Sequence, residues 1–186
     1  MLAQLNTWAH VVKRKPSKAK GTVSAYQKWI ANVAKKALEL PEIFLEDDEA
    51  LAMVDSGCGD HCADPEAHFL QLKMRASKGS QRGQVFSTAT KEELPNLGEK
   101  EVNFTTEEGN TGCVAFQMCK GIAMPILSVR KLSKSNEVRF LDKESGTIIN
   151  KATGQVTKFF SLYGVYFVKL KVHKNVGTSS TFGRPA

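Results

Sequence analysis

Two-residue alternation is the strongest pattern along the chain. Between residues 113 and 119, Val114, Phe116 and Met118 fall on one face and Cys113, Ala115, Gln117 and Cys119 on the other. That period predicts a strand with one buried face. Tyr166, Val168, Leu170 and Val172 repeat the pattern within a strand over residues 164–172. Two compact apolar runs, Leu51-Ala52-Met53-Val54 and Ile126-Leu127-Ser128-Val129 behind Pro125, predict short apolar strands. Residues 85–89, 102–106, 138–141, 147–149 and 156–160 are further strand candidates. They are parted by turn signals at residues 94–98, Ser145-Gly146 and Thr153-Gly154. Short strands at this spacing predict a β sandwich or barrel. One segment has a helical period instead. Val23, Tyr26, Ile30, Val33, Ala34, Ala37 and Leu38 recur at three- and four-residue steps, with Thr22 or Ser24 to cap the start and Pro41 after the end.

Charge divides the chain where the period changes. The whole sequence carries a formal +7, which at first suggests a polyanion partner. Residues 1–40, however, hold eight Lys/Arg (Lys13, Arg14, Lys15, Lys18, Lys20, Lys28, Lys35, Lys36) against Glu39 alone, and the remainder is neutral. Between residues 42 and 49 stand five acids and no base. The expected organisation is therefore a basic linker plus amphipathic helix at 1–46, a β domain at 47–174 and a flexible tail at 175–186. No apolar run approaches the ~20 residues of a membrane helix, and residues 1–12 lack the order of a secretory signal. Four cysteines in 186 residues do not form a disulfide framework, so the expectation is an intracellular protein, cytoplasmic or nuclear, with reduced thiols and no membrane contact.

The segment with the most chemistry is Met53-Val54-Asp55-Ser56-Gly57-Cys58-Gly59-Asp60-His61. An apolar strand entering Asp-Ser-Gly suits an aspartic peptidase. The strand fixes the depth of the carboxyl of Asp55, Ser56 can lock the turn through its hydroxyl, and Gly57 lets backbone approach closely. Two such carboxyls about 3 Å apart cannot both ionise, so they share a proton and activate a water. Glu144-Ser145-Gly146 has a longer acid in a turn, which leaves one motif per chain and demands a homodimer. Asp-Ser-Gly is also ordinary turn composition. Cys58, Asp60, His61, Cys62, Asp64 and His68 offer zinc-type ligands, but their spacing is not that of a zinc knuckle. A Cys58 nucleophile with His61 or His68 lacks any sign of an oxyanion hole. The expectation is no metal and no cofactor.

The wider arrangement resembles the retropepsin-like proteinase region of Copia-type retrotransposon polyproteins. The matching stretches are Val54-Asp55-Ser56-Gly57-Cys58-Gly59-Asp60-His61 and Met124-Pro125-Ile126-Leu127-Ser128-Val129-Arg130-Lys131-Leu132. Between them, Thr88-Ala89-Thr90 and Gly98-Glu99-Lys100-Glu101-Val102 fit the family's flap-side strands. Val138-Arg139-Phe140, Ile148-Ile149, Thr153-Gly154 and Gly164-Val165-Tyr166 continue in the same order. The resemblance implies a mainly β fold: a retropepsin-like closed β barrel or sandwich with a β-rich C-terminal extension and an N-terminal helical appendage. It implies Asp55 as the catalytic residue, Ser56 and Gly57 as its supporting turn, and a polypeptide substrate. His61 matches a His common after the motif. The family usually has Ala where Cys58 stands, and related retropepsins Gly where Ser128 stands. A hairpin over residues 102–118, with Gly109 and Gly112, is the expected flap.

Two other functions fit the same residues. A non-catalytic relative would dimerise or bind a peptide strand through its β domain. A nucleic-acid-binding protein would act through Lys13, Arg14, Lys15, Lys18 and Lys20, by salt-sensitive contact with phosphates.

Overall fold

The computed structural model describes residues 10–12, 32, 35, 45–88 and 91–173. The expected basic patch at residues 13–20 and the tail at 175–186 lie outside them. So does most of the expected N-terminal helix, of which Asn32 and Lys35 are described, in helical conformation and exposed. No helix of the described residues is long and apolar enough to cross a membrane.

The fold is mainly β. Among the described residues twelve strands run in chain order: β1 (His10–Val12), β2 (Glu49–Asp55), β3 (Cys62–Ala63), β4 (Val85–Ser87), β5 (Glu93–Pro95), β6 (Gly98–Thr106), β7 (Thr111–Met118), β8 (Ile126–Ser128), β9 (Asn136–Phe140), β10 (Ser145–Asn150), β11 (Val156–Leu162) and β12 (Val165–His173). Two single-turn helices, α1 (Lys78–Gln81) and α2 (Val129–Leu132), join them.

Six strands close on themselves. β2, β8, β3, β7, β6 and β12 pair in that order, and β12 pairs back with β2. The β2–β8 and β3–β7 pairs are parallel and the other four antiparallel. Closure requires a stagger, and the register supplies one. Through β8, β3 and β7, Met53 stands level with Glu99; through β12 the same residue is carried to the level of Gly109, ten residues further along β6–β7. β11, β10 and β9 extend outward from β12, which is the expected C-terminal β extension.

Alternation fills the barrel. Ala52, Val54, Val102, Phe104, Val114, Phe116, Met118, Leu127, Val168, Leu170 and Val172 share one buried cluster. One position breaks the pattern: Lys100 lies on the inward face of β6 and is 4% exposed. Its ammonium donates to the carbonyls of Pro65, His68 and Phe69 at 3.1–3.2 Å, which satisfies the buried charge and pins that loop. β2 is apolar on both faces for a structural reason. Leu51 and Met53 belong to a second cluster outside the barrel, with Phe86, Leu94, Ile126, Phe167, Cys58, Cys62 and Cys119.

Phe86 and Leu94 come from a separate three-stranded sheet, β1–β4–β5. Pro95 stands on its outer strand, where a missing N–H costs nothing. β1 corrects one expectation: residues 10–12, assigned to the basic appendage, pair with β4. Three β-favouring residues beside a basic run carry too short a period to reveal a strand.

Gly146 in β10 lies opposite Phe140 and Phe159, and a Cβ there would run into the Phe159 ring and sit 2.6 Å from the Arg139 carbonyl oxygen. Gly146→Ala is expected to lower stability by about 1–3 kcal/mol, read as a lower urea midpoint at an unchanged slope.

Candidate active site

Asp55 is the last residue of β2, and the parallel ladder Met53–Ile126, Val54–Leu127, Asp55–Ser128 sets its depth. The chain then turns on itself. The Gly57 amide donates to Asp55 Oδ1 at 2.7 Å, and the Cys58 amide also favours the charged carboxylate. Oδ2 is buried and has no hydrogen-bond partner among the described residues. Burial dominates and raises the Asp55 pKa from 3.8 to about 6, against the smaller opposing pull of the two amides. Asp55 is thus a carboxyl held on one oxygen, desolvated on the other, and paired with no cation among the described residues.

The hydroxyl that locks this turn is not that of Ser56, which is exposed. It is Ser128, fully buried, whose Oγ donates to the Cys58 carbonyl at 2.5 Å. The same Oγ accepts from the Lys131 amide at 3.3 Å and so caps α2. The Ser128 amide donates to His61 Nδ1 at 3.1 Å. The His61 ring lies tilted against Phe116, centroids 5.9 Å apart. Burial, with Lys131 nearby, holds His61 well below the usual imidazole range. Asp60 accepts from the His61 amide and pairs with Lys131 at 3.0 Å. Neither Ser128 nor His61 is adjacent to Asp55 in sequence; His61 drew notice by its position after the motif, and Ser128 by standing where related retropepsins have Gly.

The cysteines take structural places. The Cys58 and Cys62 thiols both point at the Asp60 carbonyl, at 2.9 and 3.6 Å, and burial with thiol neighbours pushes both pKa values up. Thiols in that state are poor nucleophiles. Among the described residues no three His, Cys, Asp or Glu side chains converge as a metal-binding group. His68 Nδ1 accepts from the Asp64 amide, away from Cys58.

The hairpin expected as a flap is β6–β7, and along its strands it forms barrel wall: Val102, Phe116 and Met118 are wholly buried. Its tip is tied to β11, where Glu108 accepts from the Lys158 amide and Asn110 donates to the Val156 carbonyl, at 3.0 and 2.7 Å. Gly109 supplies a positive φ of 78° for the turn. Gly112 makes room for Phe104, whose ring would lie 2.5 Å from a Cβ. Both glycines serve local geometry where the sequence suggested mobility.

Strand directions place Asp55 at the same end of the barrel as this tip and the β11–β12 turn. A cleft of ≈ 1070 Å³ opens at the other end, among residues 45–51, 67–71 and 123–125, and Asp55 does not line it. Glu144 stands in the β9–β10 turn and Ser145-Gly146 open β10, with the Glu144 and Ser145 amides donating to Asp142. Compared with known proteins, the chain matches no family model, no curated protein and no solved structure.

The raised pKa of Asp55 gives a stability test. In the window from about pH 4 to 6 the folded chain binds the proton that the unfolded chain releases, so this group's contribution to stability falls as pH rises through it. His61 has the opposite sign, since its lowered folded pKa means stability lost as pH drops below the ordinary imidazole value. Both proteins of a wild-type and Asp55→Asn pair share His61, so their difference isolates Asp55. Asp55→Asn is expected to be more stable than wild type at pH 7.5, by on the order of 2 kcal/mol, with the gap closing below pH 4. Equal melting temperatures at both pH values would contradict the desolvated carboxyl.

Proposed function

We propose that the chain is a retropepsin-like aspartic endopeptidase of retroelement origin, with Asp55 the catalytic residue supplied once per chain and paired across a homodimer. The observation that carries this reading is the state of the Asp55 carboxyl: fixed by backbone on Oδ1, buried and unpartnered on Oδ2, with a pKa near 6. An aspartate that merely closed a turn would be solvated or paired. Among the described residues this one has a free acceptor and no counter-charge, which is what a shared-proton dyad requires of each half.

In the dimer the two carboxyls hold one proton and one negative charge. The ionised Asp55 takes a proton from a water as that water attacks the peptide carbonyl carbon, while the protonated mate donates to the carbonyl oxygen. The tetrahedral intermediate then collapses with the proton passing to the leaving nitrogen. The two departures from the family pattern fit the local packing. Ser128 adds a hydroxyl that holds the turn, and the Cys58 thiol is turned away toward Asp60. The β4–β5 hairpin packs through Phe86 and Leu94 into the cluster that holds Met53 and Cys58. Absence of Asp55 from the large cleft is in keeping with a groove that needs a second chain to form.

Cleavage of a peptide library by the purified chain is expected near pH 5, with inhibition by pepstatin. Asp55→Asn is expected to lower kcat/KM by on the order of 10³-fold or more. Cleavage retained by the folded Asp55→Asn chain would exclude Asp55 as the catalyst.

A further inference from the structure

We infer that His61 is a positioning residue for Asp55, acting through the backbone of Ser128. The inference rests on the proposed peptidase reading for its catalytic consequence, but its structural content stands apart from that reading.

Ser128 is 0% exposed, and β3 reaches β8 only at the Cys62–Ile126 pair. Two residues further on, the Ser128 amide lies past the end of that ladder. A buried N–H without an acceptor costs roughly 1–3 kcal/mol. His61, the residue before β3, supplies the acceptor from its side chain at 3.1 Å. Its own carbonyl accepts from the Gln117 amide, so the loop that carries it is anchored to β7 as well. The ring thus continues, with one nitrogen, a ladder that the backbone of β3 does not extend.

What hangs from Ser128 makes the bond matter. Ser128 is the register partner of Asp55, and its hydroxyl holds the Cys58 carbonyl in the turn that presents Asp55. A shift of β8 would therefore move both supports of the carboxyl together. Among the described residues the charged group that acts on the ring is Lys131 from α2; Asp60 beside it in its own loop accepts from the His61 backbone amide, and β7 contributes the uncharged Phe116. Lys131 is paired with Asp60. To accept from the amide, His61 must be neutral with its proton on Nε2.

The test uses the full 186-residue chain, labelled with ¹³C and ¹⁵N. In the wild type, ¹⁵N shifts of His61 are expected to show Nδ1 bare and Nε2 protonated at pH 6; the opposite tautomer overturns the inference without any variant. His61→Asn keeps an acceptor near the Nδ1 position, whereas His61→Leu removes it. The Leu variant is expected to exchange the Ser128 amide about tenfold faster or more. Its Asp55 ¹³C titration should move down toward the ordinary carboxyl range, while the Asn variant stays close to wild type in both. In cleavage assays, kcat of the Leu variant is expected to fall about tenfold with KM unchanged and the acid limb displaced, and Asn is expected to restore the profile. Unchanged exchange and titration in a folded Leu variant, or an Asn variant that behaves like Leu, overturns the role assigned to His61. Absence of cleavage by the wild type counts against the peptidase reading alone, because the tautomer, exchange and titration need no substrate.

Discussion

Three residues of parallel pairing, Met53–Asp55 against Ile126–Ser128, hold everything that gives this chain a chemical centre. They fix the depth of Asp55 in the wall of a closed barrel and set its register partner. That partner ties the following turn and starts α2. A barrel wall is a rigid place for a carboxyl, because every strand of the ring is bonded on both sides and the interior is filled by alternating apolar residues. One residue of slip would exchange the faces of β2 and turn Leu51 and Met53 inward. The two apolar clusters, one inside the ring and one outside, make that slip costly.

The electrostatics of the centre follow from what surrounds it. No cation among the described residues neutralises Asp55, and two backbone amides are too few to offset its desolvation. The neighbouring charges are spent on each other, Lys131 on Asp60, at a remove from the carboxyl. On the proposed reading this imbalance is the half of a dyad that a second copy completes. His61 is neutral for the same reason that Asp55 is strained toward neutrality: both sit where water is excluded.

Much of the fold was legible where one period governed. β6, β7 and β12 alternate because one face meets the barrel interior, and β2 reads as a continuous apolar run because both faces are covered. β3 and β5, of two and three residues, are too short to carry a period. Period alone started β6 at Val102, because Lys100 is inward-facing yet charged; only its three carbonyl acceptors, supplied by a distant loop, make it belong there. Glycine marks both mobility and close packing, and Gly112 serves the second. Asp55 and Gly57 could be named from the motif, but the Ser128–His61 support spans 67 residues, and no local pattern announces such a pairing.

The central claim, that one active centre is built from two Asp55 residues, is tested most directly by subunit mixing. Wild-type chain at fixed concentration is combined with a rising excess of Asp55→Asn chain, exchange being verified by co-purification of differently tagged copies. The account predicts that activity falls toward zero as mixed dimers replace wild-type ones, although the amount of wild-type chain is constant. Activity that stays constant while the tags co-purify would contradict it.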